Sequence, residues 1–191
     1  MKHICIFASG SGTNAEKIIE HFKDSKLAQV SLIISNKADA GVMKVAGKYD
    51  LDTRLIERNL FYNTKNILQV LKKEKIDLIV LAGFMWLVPA YLVKAYPNKI
   101  INIHPALLPK HGGKGMYGMH VHEALIKNKE KQSGITIHYV NEKYDEGNII
   151  FQVKCAVASN DTPESLAYKI HELEHENYAK VVEKILSTKY E

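Results

Sequence analysis

Cysteine is scarce in this sequence of 191 residues, which contains only Cys5 and Cys155. Neither has a second cysteine at the short spacing of metal-binding motifs, so the sequence excludes a cysteine-ligated zinc site. Two isolated cysteines also cannot form the disulfide framework of a small secreted protein. Both lie in apolar, strand-like runs, and we expect reduced, buried side chains in a cytoplasmic protein.

Long apolar runs are missing as well, because none reaches the ~20 residues that a membrane-spanning helix needs. The first apolar run follows Lys2 directly, without the basic-then-apolar pattern of a secretory leader. The 26 basic and 21 acidic residues give a net charge of +5 and are interspersed along the chain rather than gathered into an arginine-rich tract. Such a charge balance suits a small anionic ligand as well as nucleic acid, but the lack of an arginine-rich or aromatic-interleaved basic tract argues against nucleic acid. We expect neither nucleic acid nor a membrane as partner.

The sequence does contain enough apolar residues, 46% of the chain, for one substantial core, and we expect a single domain over residues 1–191. Strands are expected at residues 3–8, 30–35, 53–56, 77–82 and 100–103, and helices after residue 14, at 42–49 and at 66–73. This alternation predicts a doubly wound, mostly parallel sheet with helices on both faces, in the Rossmann-like α/β class.

The pattern changes in the last third of the chain. Runs at residues 135–140 and 149–156 predict two strands joined by a turn, most simply a C-terminal antiparallel hairpin. A long helix follows, with Thr162 as its expected N-cap and Pro163 at its first position. Its expected buried stripe consists of Leu166, Ile170, Leu173, Val181 and Ile185.

A glycine-rich loop, Ser-Gly-Ser-Gly-Thr-Asn at residues 9–14, connects the first strand to the first helix. Its backbone N–H groups and the helix N-terminus can face an anion, and a phosphate is the natural ligand. The loop lacks the third glycine of the dinucleotide fingerprint and the Gly-Lys-Ser/Thr ending of a P-loop, so neither a nicotinamide cofactor nor ATP is implied. A tight capped turn without a ligand is the open alternative.

Asn102 and His104 lie two residues apart at the end of an expected strand, so their side chains emerge on one face. Asp145, in a turn between the two later strands, can reach them if the hairpin folds back. Its carboxylate would then raise the pKa of the His104 imidazole above ~6.5. An amide, an imidazole and a carboxylate in one pocket suit the transfer of an acyl group to an amine. The alternative is a core histidine and an aspartate that only shapes a turn.

Residues 171–175, His-Glu-Leu-Glu-His, match the zincin pattern of two histidines one helical turn apart with a glutamate between them. The helix carries no obvious third ligand at the usual spacing, and its polar face is crowded with charges. We therefore expect no metal there, and we interpret the pattern as a solvated helix face or an edge of a substrate site.

Five segments, in this order, resemble the phosphoribosylglycinamide formyltransferase family, and the resemblance covers essentially the whole chain. They are Ser-Gly-Ser-Gly-Thr-Asn at 9–14, Ser-Asn-Lys-Ala-Asp-Ala at 35–40, Leu-Ala-Gly-Phe-Met at 81–85, Asn-Ile-His-Pro-Ala-Leu-Leu-Pro-Lys at 102–110 and Asp-Glu-Gly at 145–147. The Asn-x-His-Pro segment with a distant aspartate is shared by the wider formyltetrahydrofolate-dependent family and indicates the chemistry. The glycine loop indicates which substrate is used, because in the resembling enzymes this loop holds the phosphate of glycinamide ribonucleotide.

The resemblance implies a formyltransferase fold with glycinamide ribonucleotide as substrate and 10-formyltetrahydrofolate as cosubstrate, and we expect a monomer or homodimer. The residues implied for the ribotide are Gly12, Thr13, Asn14, Ala15, Glu16, His171, Glu172, Leu173 and Glu174, with Glu174 the foremost contact. Those implied for the folate are Met85, Trp86, Leu87, Val88, Asn102, Asn141, Glu142, Lys143, Tyr144 and Asp145. Without the family, residues 85–88 would be interpreted as core and residues 141–144 as a solvated turn.

The implied reaction is attack of the glycyl amine on the formyl carbon, through a tetrahedral intermediate that bears an oxyanion. Asn102 and protonated His104 would stabilise that charge, while Asp145 maintains the imidazolium and guides water-mediated proton movement. The open alternatives are a relative that formylates another amine or hydrolyses formyltetrahydrofolate, and a phosphate-ligand sensor on the same scaffold. A sensor would need no oxyanion donor.

Two segments depart from the family pattern. The glycine-rich stretch at residues 111–119 is longer than in many members and is expected to be mobile, and His120 matches a family histidine just beyond it. Residues 61–65, Phe-Tyr-Asn-Thr-Lys, stand where members often carry a basic folate contact after a phenylalanine. The sequence leaves open which residue replaces that contact.

Overall fold

The computed structural model describes residues 1–188, which form a seven-stranded sheet flanked by helices. The strands are β1 (Lys2–Phe7), β2 (Ala28–Ser35), β3 (Thr53–Leu55), β4 (Leu78–Leu81), β5 (Ile100–His104), β6 (Gln132–Tyr139) and β7 (Ile149–Ala156). The helices are α1 (Thr13–Phe22), α2 (Gly41–Lys48), α3 (Arg58–Asn63), α4 (Asn66–Lys73), α5 (Ala90–Ala95), α6 (Met119–Lys127) and α7 (Pro163–Ser187). Every expected element is present, and the largest displacement is at β6, which begins at Gln132 rather than at residue 135.

The strand order is β3-β2-β1-β4-β5-β6-β7. Strands β1 to β5 pair in parallel, β6 is antiparallel to β5, and β6 and β7 form the hairpin that the sequence predicts. The chain winds outward from β1 to β3 and then returns to add β4 on the other side of β1. The carboxyl ends of β1 and β4 therefore lie side by side where the winding reverses, which is where ligands bind in sheets of this class.

Alternate residues of β1 face two different hydrophobic cores. Ile4 and Ile6 belong to the cluster that includes residues of α1, α2, α6 and α7, whereas Cys5 and Phe7 belong to the cluster that includes residues of α3, α4 and α5. All four side chains are fully buried because both faces of the sheet are covered. The prediction of a doubly wound sheet with helices on both faces is thereby confirmed.

The two cysteines differ in burial. Cys5 is fully buried as expected, and burial raises the pKa of its thiol well above the usual value. Cys155 is only partly buried, contrary to the expectation, because β7 is the last strand of the sheet and its residues are largely half-exposed. Both thiols are free.

Helix α7 begins with a reciprocal cap. The Thr162 hydroxyl accepts from the backbone N–H of Ser165, and the Ser165 hydroxyl accepts from the backbone N–H of Thr162, with Pro163 at the first helical position. Of the expected stripe, only Leu173 is not fully buried, and it packs against the edge of the core. The Tyr178 hydroxyl donates to the carbonyl of Leu81, which fixes α7 to the end of β4.

Three helices, α3, α5 and α6, were not expected from the sequence. Helices α3 and α5 have six residues each, too few for helical periodicity to distinguish them from irregular turns. Helix α6 follows directly on the glycine-rich stretch, whose composition indicates a loop. In residues 1–188, no helix combines the length and the apolar character that crossing a bilayer would require.

Candidate active site

A cleft of about 610 Å³ opens at the carboxyl ends of β1, β4 and β5. Its walls are the glycine loop after β1, the segment after β4 at residues 82–88, and the polar end of β5 together with the turn that precedes β7. Helices α6 and α7 contribute His122, His171 and Glu174. Residues from both the predicted anion loop and the predicted catalytic set therefore face one space.

The glycine loop is shaped by close backbone packing against α2. Gly12 is the N-cap of α1 with a φ of 84°, and a Cβ there would lie 2.6 Å from the Cα of Val42. A Cβ on Gly41 would lie 2.5 Å from the carbonyl oxygen of Ser11. Within residues 1–188 no side chain caps the N-terminus of α1. Its first N–H groups remain available to an anion at the positive end of the helix.

Ser9 ties the glycine loop to the segment after β4. Its hydroxyl donates to the Asn36 Oδ1 at 2.6 Å and accepts from the backbone N–H of Met85 at 3.0 Å. Its own N–H donates to the carbonyl of Gly83 at 3.1 Å. Two walls of the cleft are thus joined by one buried serine.

Asn14 and Glu174 join the glycine loop to α7. The Asn14 Nδ2 donates to the Glu174 Oε2 at 2.8 Å, and the ring Nδ1 of His171 lies 3.1 Å from the same oxygen. Glu174 is buried, whereas His171 is exposed. The hydrogen bond with Glu174 raises the pKa of His171, which favours a cation beside the loop. The Oδ1 of Asn14 is buried and has no partner in the described part of the chain, so an acceptor remains unused there.

Four of the residues implied for the ribotide do not line the cleft. Ala15 is buried in the core beneath α1, and the Glu16 carboxylate accepts from the Lys48 Nζ at 2.6 Å on the α2 side. Glu172 is exposed on the outer face of α7, and Leu173 packs against the core. Gly12, Thr13, Asn14, His171 and Glu174 do line it.

Asn102 and His104 lie on one face of β5, as their spacing predicts. Opposite them on β6 are His138 and Thr136 respectively. The Asn102 Nδ2 lies 3.2 Å from the His138 Nε2 and 3.5 Å from the Asp145 Oδ1. The second distance is at the limit of a hydrogen bond, so one amide N–H can turn to an oxygen atom in the cleft.

The structure brings Asp145 to His104. The Asp145 Oδ2 lies 3.5 Å from the His104 Nδ1, and the two side chains are 10% and 3% exposed. Asp145 has a φ of 56°, in the left-handed region, and a Cβ at Gly147 would collide with the carbonyl oxygen of Tyr139. The turn after β6 is therefore held tightly enough to direct the carboxylate back toward β5.

The glycine-rich stretch contacts both members of this pair. The Nε2 of His104 donates to the carbonyl oxygen of His111 at 2.8 Å, and the backbone N–H of Gly113 donates to the Asp145 Oδ2 at 2.9 Å. The Nδ1 of His104 is consequently the ring nitrogen that faces the carboxylate. The loop whose role the sequence left open forms part of the wall of the site.

The expected rise in the pKa of His104 is wrong. Burial lowers the pKa of this imidazole below its usual value, and the attraction of Asp145 and the hydrogen bond to His111 only partly offset that effect. The reason is that the carboxylate is 3.5 Å away while the ring is almost completely removed from water. Burial tends to raise the pKa of Asp145, but its contacts with His138, His104 and the backbone N–H of Gly113 more than compensate and lower that pKa.

His138 is a polar residue of the site that the sequence did not single out. It is 2% exposed, and its Nε2 lies 3.6 Å from the Asp145 Oδ1. Its Nδ1 donates to the carbonyl of Tyr139 at 2.9 Å, so the Nε2 is free to accept from Asn102. Thr136 and His138 repeat the two-residue spacing of Asn102 and His104 on a second strand, and that repetition was the available signal.

An aromatic wall lies on the opposite side of the cleft. Met85, Trp86, Leu87 and Val88 all line it, and the Trp86 ring packs in a cluster with Phe61 and Phe84. Among the other residues implied for the folate, Lys143 and Tyr144 line the cleft.

Asn141 and Glu142 do not line the cleft. The Asn141 side chain accepts from the backbone N–H of Lys143, and Glu142 lies 3.6 Å from Lys94. Arg58 of α3 lies over the Trp86 ring at 5.7 Å and over the Tyr62 ring at 5.6 Å. It supplies a cation beside the aromatic wall, close in sequence to the segment where a basic contact was missing.

The two glutamates and two histidines of the His-Glu-Leu-Glu-His pattern face different surroundings. Among the residues that the structure describes, no three or more His, Cys, Asp or Glu side chains are arranged to hold a metal ion. The His171 and His175 rings stack with centroids 6.2 Å apart, while Glu174 turns inward to Asn14. The pattern directs Glu174 and His171 to the cleft.

Comparison with known proteins decides between the families that this geometry allows. The model of the formyl transferase family matches residues 2–182. The chain belongs to the formyl transferase family. The resemblance inferred from the five sequence segments is thereby confirmed.

Two relatives illustrate how closely this formyl transferase matches known members. The chain is 40% identical over 187 residues to the chloroplastic phosphoribosylglycinamide formyltransferase of Arabidopsis thaliana, which covers 95% of this chain and 64% of that protein. It is 35% identical over 191 residues to the phosphoribosylglycinamide formyltransferase of Bacillus subtilis, covering 97% and 95% of the two chains. The chain thus spans less than two thirds of the plant relative's length and nearly all of the bacterial one.

Solved structures confirm the formyltransferase fold. The phosphoribosylglycinamide formyltransferase of Bacillus halodurans superposes with a TM-score of 0.88 at 40% identity, covering 100% of this chain and 97% of that one. Glycinamide ribonucleotide transformylase 1 of Geobacillus kaustophilus gives 0.88 at 35% identity, covering 98% and 100%.

Proposed function

We propose that this formyl transferase moves a formyl group from 10-formyltetrahydrofolate to the glycyl amine of glycinamide ribonucleotide, a step of purine biosynthesis. The observation that carries the proposal is the presence of an anion loop and an Asn102–His104–Asp145 cluster in one cleft. A phosphorylated amine and a formyl donor are the reactants that such a pair of subsites accommodates. The relatives' names agree with this assignment.

The phosphate of the ribotide would occupy the glycine loop. Backbone N–H groups from Gly12 to Asn14 offer hydrogen bonds, and the Thr13 hydroxyl adds a donor. The contact with Glu174 raises the pKa of His171, which favours positive charge at the same end of the cleft. The buried Glu174 carboxylate and the unused Oδ1 of Asn14 are acceptors that suit ribose hydroxyls or the amine.

The ring system of the formyl donor, 10-formyltetrahydrofolate, would lie against the aromatic wall. Residues 85–88 present one apolar face, and Tyr144 presents another from the turn before β7. A cleft of about 610 Å³ is in the range of pockets that hold molecules of this size. This orientation would bring the formyl carbon to the end of β5.

The reaction needs a nucleophilic amine and stabilisation of one negative oxygen. The amine nitrogen attacks the formyl carbon, the bond from that carbon to the folate N10 breaks, and the proton lost by the amine ends on N10. Asn102 donates an N–H to the oxyanion. Negative charge at that oxygen raises the proton affinity of the His104 ring. The imidazole is therefore protonated more readily as the intermediate forms, and the charged ring is a stronger hydrogen-bond donor. The Asp145 carboxylate favours that protonation.

This scheme assigns no step to a metal ion, and we propose that neither nucleic acid nor a membrane is a partner. We propose the cytoplasm as compartment, because both thiols are free and a reducing environment keeps them so. Monomer and homodimer are equally compatible with the site, since all of its groups come from one chain.

The direct test is an assay of purified protein with 10-formyltetrahydrofolate and glycinamide ribonucleotide, following tetrahydrofolate release and formylated product together. We expect equal amounts of both. Reactions without ribotide, with methionyl-tRNA and with an amino sugar test the alternatives. Folate turnover that does not depend on the ribotide would indicate a hydrolase, and ribotide binding without turnover would indicate a sensor.

A further inference from the structure

The backbone at His111 lies outside the ordinary helical and strand conformations. His111 has a φ of 54°, in the left-handed region, although the next two residues are glycines and Gly113, Gly115 and Gly118 of the same loop also have a positive φ. A residue with a side chain costs about 1 kcal/mol in this region relative to glycine. Histidine adopts this region more readily than most residue types, and here it directs the side chain to Glu130 and the carbonyl to His104.

The side chain of His111 is anchored to a fixed point outside the cleft. Its Nε2 lies 3.1 Å from the Glu130 Oε1, and the ring is 9% exposed. Glu130 stands between α6 and β6, where its backbone N–H donates to the carbonyl of Leu125. This contact thus fastens the start of the glycine-rich stretch to the segment that follows α6.

The carbonyl of the anchored residue is the partner of His104. It accepts from the Nε2 of His104 at 2.8 Å, which leaves the Nδ1 facing the Asp145 Oδ2 at 3.5 Å. Gly112 packs so tightly beneath this contact that a Cβ there would lie 3.2 Å from the Asp145 Cβ. A shift at His111 would therefore move the ring that meets the substrate.

We propose that His111 and Glu130 are a positioning pair for the reaction, which holds the His111 carbonyl where it fixes the orientation and proton position of the His104 ring. The inference rests on the formyl transfer proposed above. Neither residue reaches the cleft, since both act through the backbone oxygen of residue 111.

Other charged groups also face the two ends of this chain of contacts. His104 is faced by Asp145 from the turn before β7, by His138 from β6, and, at longer range, by Glu174 and His122. Glu130 is faced by Lys110 at 3.5 Å as well as by His111, and these contacts lower its pKa, so it stays ionised near neutral pH. The hydrogen bond to the His111 carbonyl favours the protonated form of His104. It therefore opposes the lowering of the His104 pKa by burial.

The test compares three variants with the wild type in formyl transfer from pH 6 to pH 9. Glu130→Ala removes the anchor, Glu130→Gln keeps an acceptor oxygen in the same place, and Lys110→Ala removes the other, 74% exposed partner of Glu130. We expect kcat of Glu130→Ala to fall about tenfold with both KM values nearly unchanged, by the sensitivity of rates to misplaced groups. Glu130→Gln should recover most of the loss, and Lys110→Ala should match the wild type.

The pH profile distinguishes positioning from general destabilisation. Without the carbonyl contact, the pKa of His104 should fall, so the high-pH limb of kcat moves to lower pH and the deficit shrinks as the pH decreases. Titration of the His104 ring by NMR without substrates should give the same downward shift. Loss of kcat by an equal factor at every pH, with an unmoved His104 titration, overturns the inference.

A further variant guards against misfolding as the cause. His111→Gly relaxes the left-handed backbone and keeps the carbonyl but removes the anchor, and we expect it to reproduce the Glu130→Ala profile. Full kcat in His111→Gly would mean that backbone conformation alone suffices and would also overturn the inference. An inactive wild type would refute the proposed function instead, while the NMR titration would still test the positioning pair.

Discussion

At the scale of single residues, the His104 imidazole is subject to two opposing effects. Its removal from water disfavours the charged ring, and the Asp145 carboxylate favours it, with burial the larger effect. A site of this kind keeps the ring uncharged until negative charge develops next to it. The imidazolium then forms together with the oxyanion. Its charge lowers the barrier because it is present when the negative charge develops.

Asp145→Asn should test this balance directly. The amide preserves the size of the side chain but removes its charge, so the pKa of His104 should fall further and kcat should drop roughly a hundredfold or more, as for loss of an oxyanion donor. Steady-state kinetics across pH, together with near-ultraviolet circular dichroism as a folding control, would check it. Near-normal turnover would contradict the role of the carboxylate.

Asn102→Ala should lower kcat by about 10²–10³, because the oxyanion loses its amide donor. The KM for ribotide should change little, since the glycine loop lies at the other end of the cleft. The same variant leaves the His138 Nε2 without its donor, so a modest loss of stability is expected and thermal unfolding should be recorded alongside. A normal kcat would remove Asn102 from the mechanism.

Gly12→Val should raise the KM for the ribotide at least about tenfold through lost anion contacts, with the folate KM nearly unchanged. The added Cβ would meet the Cα of Val42 and would distort the loop. Gly47→Ala is the matched control, because it adds a Cβ in a helix where nothing lies within 4 Å. Equal ribotide KM values in Gly12→Val and the wild type would argue against a phosphate site.

The sequence identified those residues whose chemistry is local. Asn102 and His104 follow from their two-residue spacing on a strand, and the glycine loop follows from its place between strand and helix. His138 was missed because its partners lie on another strand, and strand register cannot be derived from one sequence. The prediction for the direction of the His104 pKa shift failed for a similar reason, since the burial of the ring depends on tertiary packing that includes the contact with the His111 carbonyl.

At the scale of elements, helix α7 depends on its cap. Thr162→Ala should lower the free energy of unfolding by about 1 kcal/mol, because an N–H at the first turn loses its acceptor. Urea unfolding at pH 7.5 would measure it. Ser187→Ala, at the exposed end of the same helix, serves as the control and should change the midpoint much less. A midpoint equal to that of the wild type in Thr162→Ala would contradict the contribution of the cap.

Elements were predictable in proportion to their length and burial. Strands β1, β4 and β5 are covered on both faces, so continuous apolar runs marked them clearly. Helices α3 and α5 are too short to show a period, and α6 begins where glycines suggest only a loop. The position of β6 beside β5 was anticipated only as a condition for bringing Asp145 to His104, and the sheet order satisfies it.

At the scale of the whole molecule, buried histidines make stability depend on pH. Burial lowers the pKa values of His104, His122 and His175, whereas the contact with Glu174 raises that of His171. A lowered folded-state pKa means that the unfolded chain takes up protons first as the pH falls. Three groups therefore favour unfolding below pH ~6.5 and one opposes it.

The resulting prediction is a lower urea midpoint at pH 5.5 than at pH 7.5. His122 allows a sharper test, because it is 3% exposed and its Nδ1 has no partner among the described residues. In His122→Leu the uncompensated buried nitrogen is gone, so the difference between the two midpoints should shrink. His120→Leu, at an exposed position two residues before His122 on the same helix, should leave that difference unchanged. Equal midpoints at both pH values in the wild type would show that proton uptake by the buried rings does not govern its unfolding.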